Sequence, residues 1–206
     1  LEREVYEPGA RDIVYYYPPS GEERGYISVD SLMRFVENKN NSRFRTEDSY
    51  FYIYPHNKLF MRADSAKLVD NGHVKLKDAD KIEPIIKFDL NRSHLFKNEL
   101  LTLDMLATNQ WERPVYFTSI GSSNTLNLDE YFQLEGFAYR LMPFNTGVTS
   151  GRIDSDLLYD RLMNTFKWGN MNDPDIYIDY TTERTTKILK IRRNFSRLAI
   201  VLAREN

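Results

Sequence analysis

The sequence predicts a mixed α/β (α+β) fold, with a mixed sheet and flanking helices, a β-hairpin-rich N-terminal part and a long C-terminal helix. Three observations carry this expectation. β-branched and aromatic runs, closed by Pro or by Asn-Gly, recur through roughly the first ninety residues. From Leu95 onward, helical and extended stretches alternate at a spacing that suits a mixed sheet covered by helices. The last segment carries a single apolar stripe, Ile188, Ile191, Phe195, Leu198 and Leu202, in alternating steps of three and four.

Taken in order, residues 12–17 are β-branched and aromatic and stop at Pro18-Pro19, which reads as a strand. Ser28 is placed to cap a short helix with Leu32, Phe35 and Val36 on one face. Residues 38–48 are polar and read as a loop. Tyr50 to Tyr54 and Lys58 to Arg62 flank Pro55-His56-Asn57 and suggest a hairpin. A second hairpin is expected from Lys67-Leu68-Val69 and His73 to Leu76, because Asn71-Gly72 can supply positive φ angles. Pro84 to Leu90 reads as a further strand. Residues 97–108 carry Leu100, Leu101, Leu103, Met105, Leu106 and Ala107 and predict a helix apolar on most faces, with Asn109 at its C-terminal end.

Beyond Arg113-Pro114, Val115-Tyr116-Phe117 is an expected strand, Gly121 to Thr125 a loop, Asp129 to Phe132 a short helix and Gly136 to Leu141 a strand closed by Pro143. Asp154 is placed to cap a helix bearing Leu158, Leu162 and Phe166, which Trp168-Gly169 ends. Ile176-Tyr177-Ile178 reads as extended. Thr181 or Thr182 is then expected to cap the final helix, whose other face is basic (Arg184, Lys187, Lys190, Arg193, Arg197). From Leu198 that helix is apolar on more than one face, which predicts the start of a helical-repeat array. The expected division is therefore a mixed domain over 1–180 and a C-terminal helix over 181–206.

Composition narrows the function classes. In 206 residues, 28 Lys and Arg balance 30 Asp and Glu, for a net charge of −2, which excludes a strongly basic nucleic-acid binder. With no Cys, disulfides do not arise. No stretch reaches the roughly 18–20 apolar residues of a membrane helix. Leu1-Glu2-Arg3-Glu4 is neither a signal peptide nor an initiator sequence and reads as a start inside a longer protein. The conspicuous figure is 14% aromatic residues, with 14 Tyr and 12 Phe against 2 Trp.

Few constellations point to catalysis. His56, His73 and His94 lack metal-ligand spacing and read as exposed, two of them at turns, so no metal or cofactor is implied. Gly121-Ser122-Ser123-Asn124 lacks the lysine of a phosphate loop. No G-x-S-x-G elbow is present. Asp154 and Asp156 suit a helix N-terminus. The chemistry-rich stretch is 109–143, where Trp111, Arg113, Tyr116, Gln133, Glu135, Tyr139 and Arg140 cluster; Asp160 and Trp168 follow. Aromatic rings with Arg, Gln and Glu suit stacking on sugars and bonding their hydroxyls. The alternative is that Glu135 and Arg140, or Glu112 and Arg113, satisfy each other while the rings fill the core.

Asn109-x-Trp111-x-Arg113-Pro114-Val115-Tyr116-Phe117 resembles one motif of a known family. Tyr131 to Leu141 with Pro143, and Asp156-x-x-Tyr159-Asp160 through Phe166-Lys167-Trp168-Gly169, resemble two more. The resemblance runs over about 95–205 and, more loosely, over 1–94. It is to the C-terminal extramembrane region of a bacterial family of large multi-span membrane proteins, a domain of unknown function similar to transmembrane protein O-mannosyltransferases. The resemblance implies a non-catalytic role on the extracytoplasmic (periplasmic) side of an inner membrane, docking an acceptor protein or glycan or bracing the membrane domain. The implied partners are that membrane domain and C-terminal helical repeats, with no nucleic acid. A purely structural interaction module and a free-standing carbohydrate-active enzyme, using Glu135 or Asp160, are the alternatives.

Overall fold

The computed structural model describes residues 13–18, 25–45, 50–121, 125–170, 173–177, 179–181 and 188–205. Asp12, residues 46–48, Ser122 to Asn124, Ile178, the Thr182 cap, and Arg184 and Lys187 of the basic face lie outside these residues. The chain forms two units.

The first unit comprises Leu1–Pro114, Gly121–Asp129 and Pro143–Asn145. Its elements are β1 (Ile13–Tyr16), β2 (Ile27–Ser28), α1 (Val29–Glu37), α2 (Lys39–Ser42), β3 (Arg43–Arg45), β4 (Tyr50–Tyr54), β5 (Lys58–Arg62), α3 (Ser65–Asp70), a 3-10 turn (Leu76–Lys81), β6 (Ile85–Asp89), β7 (His94–Phe96) and α4 (Lys97–Asn109). One sheet has the order β3-β4-β1-β7, with β1 parallel to β4 and antiparallel to β7. A second has the order β2-β5-β6. Val14, Tyr54 and Leu95 bury one face of the first sheet. The Ser28 hydroxyl accepts the Ser31 N–H at 3.1 Å and so starts α1, which buries Val29, Leu32, Met33 and Val36.

Several expectations are corrected here. Strands β4 and β5 exist at the expected residues but form no hairpin, since β5 pairs with β2 and β6 in the other sheet. The three-residue Pro55-His56-Asn57 link is a crossing point; Asn57 contributes its carbonyl to the Leu90 N–H at 2.8 Å. The second hairpin is a helix. Asp64 caps α3 by accepting the Ala66 and Lys67 N–H groups. The positive φ expected near Asn71-Gly72 is real, at 72° on Gly72, but it ends a helix, with Gly72 N–H donating to the Val69 carbonyl. Within 38–48, α2 and β3 replace the expected loop. Helix α4 is buried along Glu99, Leu100, Leu103 and Leu106, while Leu101 and Met105 are exposed. Glu99 is tolerated there because it pairs with Arg92 and accepts the Phe96 N–H at 2.8 Å. Asn109 does not cap α4; Gln110 does, and the Asn109 amide bridges Arg113 N–H and carbonyl. His73 is buried, and His94 lies in β7, so neither is an exposed turn residue.

The second unit comprises Val115–Ile120, Glu130–Met142 and Thr146–Asn206. It contains β8 (Tyr116–Phe117), β9 (Phe132–Glu135), β10 (Ala138–Leu141), α5 (Ser155–Asp160), a π-type turn (Arg161–Thr165) and α6 (Ile188–Glu205). The antiparallel sheet has the order β8-β10-β9. The expected short helix is a 3-10 turn ending at Tyr131, and Phe132 already belongs to β9. The expected strand from Gly136 begins at Ala138, because Gly136-Phe137 forms the two-residue turn. Its φ of 82° at the first turn position matches the right-handed twist of the strands. The Asp154 carboxylate caps α5 by accepting the Leu157 N–H at 3.1 Å. Leu134, Leu158, Leu162 and Leu198 form the core of this unit, with Phe166, Trp168, Phe195 and Leu202 packed against it. Each buried leucine contributes about 1.5–3 kcal/mol. Ile176 and Tyr177 are exposed and not in a strand. Tyr180 and Thr181 already have helical backbone.

Candidate functional site

Alternation sorts the three-stranded sheet into two faces. Tyr116, Gln133, Glu135 and Arg140 share one; Phe117, Phe132, Leu134, Tyr139 and Leu141 share the other. Four of the sequence-predicted residues therefore meet around one carboxylate. Glu135 accepts the Tyr116 hydroxyl at 2.8 Å and the Gln133 amide at 3.0 Å, and pairs with Arg140 at 3.4 Å. Glu135 and Gln133 are buried. Burial, and then the bond to Glu135, raise the Tyr116 hydroxyl above its ordinary pKa. A carboxylate held by three donors is a structural hub: most of its acceptor sites are taken and Arg140 balances its charge.

The other predicted residues go elsewhere. Asp160 is exposed and accepts Asn164 and Thr165 side chains at 3.1 and 3.3 Å. Trp168 donates to the Leu162 carbonyl at 3.2 Å and packs edge-on to Phe137 and Phe166. Trp111 and Arg113 belong to the first unit. Arg113 is exposed. Trp111 donates its indole N–H to the Arg62 carbonyl at 2.9 Å. Gln110 and Trp111 have φ of 42° and 62°, a left-handed pair that costs on the order of 1–3 kcal/mol each. The pair turns the chain out of α4 and sets Trp111 against a groove of about 650 Å³ shared with Asp30, Arg62, Asp64 and Lys67. Polar groups there are already engaged: Asp64 caps α3 and Asp30 pairs with Arg34 at 3.0 Å.

The second unit holds a cleft of about 440 Å³ between the β8–β10 edge and α6. Its walls are Ile120, Phe137, Tyr139 and Ile191; Thr118 and Ser119 add hydroxyls, and Lys190 and Arg193 add cations. Of the predicted residues, Tyr139 alone lines it. The cleft is built by three local devices. Gly136 approaches Phe166 so closely that a Cβ would lie 2.3 Å from the ring, and this seats Phe137 in a stack on Phe166, centroids 4.8 Å apart. The buried Asn194 amide donates to the Gly136 carbonyl at 2.7 Å and ties α6 to that turn. Arg197 donates to the Ser150 and Gly151 carbonyls, and Gly151 packs without a side chain against the Tyr139 ring. Asn194 was missed by sequence reasoning. Its signal was a polar residue on the buried stripe, three after Ile191 and four before Leu198. Phe137, within a motif, gave no separate signal.

Among the described residues no group of three or more His, Asp or Glu side chains is placed to hold a metal ion. Of the motif-like segment at Gly121, the described part uses the Gly121 N–H on the Asp129 carboxylate at 2.9 Å. No helix among the described residues is long and apolar enough to cross a membrane.

Residues 1–157 match the protein family described as TMEM260-associated domain 2. The match includes the first two motifs and the N-terminal part where the resemblance is looser. No curated protein and no solved structure matches the chain.

Proposed function

We propose that this chain, which belongs to the TMEM260-associated domain 2 family and so to a domain associated with a membrane protein, is the extracytoplasmic docking module of a glycosyltransferase-like parent. The cleft beside α6 is where a glycan of the acceptor docks. The observation that carries this reading is the pairing of two rings, Phe137 and Tyr139, with the Thr118 and Ser119 hydroxyls in one cleft of saccharide size. Rings take the C–H faces of a sugar and the hydroxyls orient it. The role is docking rather than catalysis: Glu135 is enclosed by Tyr116, Gln133 and Arg140, and Asp160 bonds its own helix end. The test is titration of this chain with an oligosaccharide panel, alongside Phe137→Ala. Binding that Phe137→Ala weakens about tenfold or more, without loss of folding, supports the reading. No binding by the intact chain, with unchanged activity of a parent protein lacking it, ends it.

A bracing role against the membrane domain and C-terminal helical repeats is the second reading. It is favoured by the Tyr116–Gln133–Glu135–Arg140 network, which stiffens the sheet without offering a free functional group on Glu135. It predicts that Glu135→Gln changes stability and parental activity together, with saccharide titrations unchanged.

A further inference from the structure

We propose that the saccharide taken by the α6 cleft is anionic, carrying a carboxylate or a phosphate that Lys190 and Arg193 bind. This deepens the docking reading above and rests on it. Lys190 and Arg193 stand three residues apart on α6, hence on one face, and both line the cleft. Among the described residues no carboxylate lines it with them. Among the described residues neither cation has an ion pair. The contrast with Arg197 is informative: that guanidinium is spent on the Ser150 and Gly151 carbonyls at 2.8 and 2.6 Å and shapes the wall. In a chain of net charge −2, two uncommitted cations at one cleft make a local positive field beside an apolar floor. The remaining lining fits the rest of the ligand. Thr118 and Ser119 offer hydroxyl donors and acceptors, and Phe137, Tyr139, Ile120 and Ile191 form the apolar surface. A volume of about 440 Å³ suits one or two sugar rings. A neutral glycan can accept hydrogen bonds from both cations but leaves their charge unbalanced. An inorganic anion would leave the rings uncovered.

The experiment is calorimetric titration of the whole chain at low and high salt. The probes are maltose, the same disaccharide oxidised to a uronate at its non-reducing C6, glucose 6-phosphate and inorganic phosphate. Each exposed cation is expected to contribute about threefold, so the uronate or the sugar phosphate binds about tenfold more tightly than maltose. The preference shrinks at high salt, where exposed charges are screened within about 3 Å. Lys190→Gln and Arg193→Gln each remove about threefold of the preference and leave maltose affinity unchanged. Arg204→Gln, on the same helix and outside the cleft, leaves everything unchanged. Which anionic probe binds best identifies the source of the charge. Equal affinity for maltose and both anionic sugars overturns the proposal while the docking reading survives. Inorganic phosphate binding as tightly as glucose 6-phosphate overturns it in favour of a bare anion site. No binding of any saccharide removes both.

Discussion

Replacing Asn194 by Asp tests the tie between α6 and the β9–β10 turn. The amide donates to the Gly136 carbonyl at 2.7 Å from a side chain only 7% exposed. In Asn194→Asp the ionised carboxylate has no proton to give and faces a carbonyl oxygen at that distance. Burial and this repulsion push the introduced acid above the usual carboxylate value of about 3.9. A rise of about two to three pKa units corresponds to a loss of about 3–4 kcal/mol at neutral pH, at about 1.4 kcal/mol per unit. In acid the neutral carboxyl can donate to the same carbonyl, and the loss shrinks to about 1 kcal/mol. The sign follows from linkage. The folded-state pKa lies above the unfolded one, so the native state of the variant binds the proton more tightly. Its stability relative to the parent is fullest below about pH 4 and falls as pH rises through the folded value. Asn194→Leu removes the donor without adding a titration and costs about 1–3 kcal/mol at every pH, because the carbonyl is left dry. Urea unfolding between pH 4 and 8, followed by the fluorescence of Trp168 in the same unit, measures both. Parallel stability profiles for Asn194→Asp and the parent, or an unchanged midpoint for Asn194→Leu, would refute the tie.

Gly136→Ala is expected to cost about 2–4 kcal/mol, from a strained φ of 82° and a ring 2.3 Å from the new Cβ. Gly25→Ala, with nothing within 4 Å, is expected to be near neutral in the same thermal melts. Tyr54→Phe loses the hydroxyl bond to the Arg92 carbonyl at 3.0 Å and about 0.5–1.5 kcal/mol. Burial raises the Tyr54 hydroxyl above its ordinary value of 10.0, so native stability falls as pH passes about 10, where the unfolded tyrosine ionises. The variant falls less steeply between pH 9 and 10.5, read from urea midpoints. Asp154→Ala strips the α5 cap and is expected to lower stability by about 1 kcal/mol in the same assay.

Local signals were legible where one residue type does one job. Ser28 and Asp154 cap the helices their positions predict, and the apolar stripe of α6 is the face that carries Leu198 into the core. The two failed hairpins show what local signals leave open. Asn71-Gly72 supplies a positive φ that suits a hairpin turn or a helix end equally, and the Asp64 cap seven residues upstream decides between them. Pro55-His56-Asn57 separates two true strands, but their partners are chosen by distant residues, Val14 to Tyr16 for β4 and Ile85 to Asp89 for β5. The site divided similarly. No strand is expected over 133–135, so the polar face that Gln133 and Glu135 share emerges only when β9 pairs with β10; the alternative that Glu135 and Arg140 satisfy each other does hold. Lys190 and Arg193 were visible as a basic helix face, yet their placement beside Phe137 depends on the Asn194 tie, a contact across 58 residues.

The aromatic excess divides by ring geometry, and that division decides which rings suit a sugar. On the outer face of the four-stranded sheet, exposed Tyr15, Phe51 and Phe96 form a ladder with half-buried His94. Two of its contacts are edge to face, at 82° for Tyr15 with Phe51 and 88° for His94 with Phe96, and Tyr15 meets His94 tilted at 51°. Such a ladder presents edges at changing angles and offers no flat platform to a pyranose. It suits side chains of another apolar surface, which can interdigitate with it. Phe137 is arranged differently. It lies 14° from parallel with Phe166, is braced edge-on by Trp168, and is still 44% exposed where it lines the cleft. One side of the ring is spent on holding its plane fixed, so ordering that plane costs a ligand no conformational entropy. A ring already fixed in plane leaves less conformational entropy to be lost when a ligand stacks on it. Trp168 therefore supports the cleft through Phe137, and in the proposed docking Phe137 joins Tyr139, the one predicted site residue that lines the cleft.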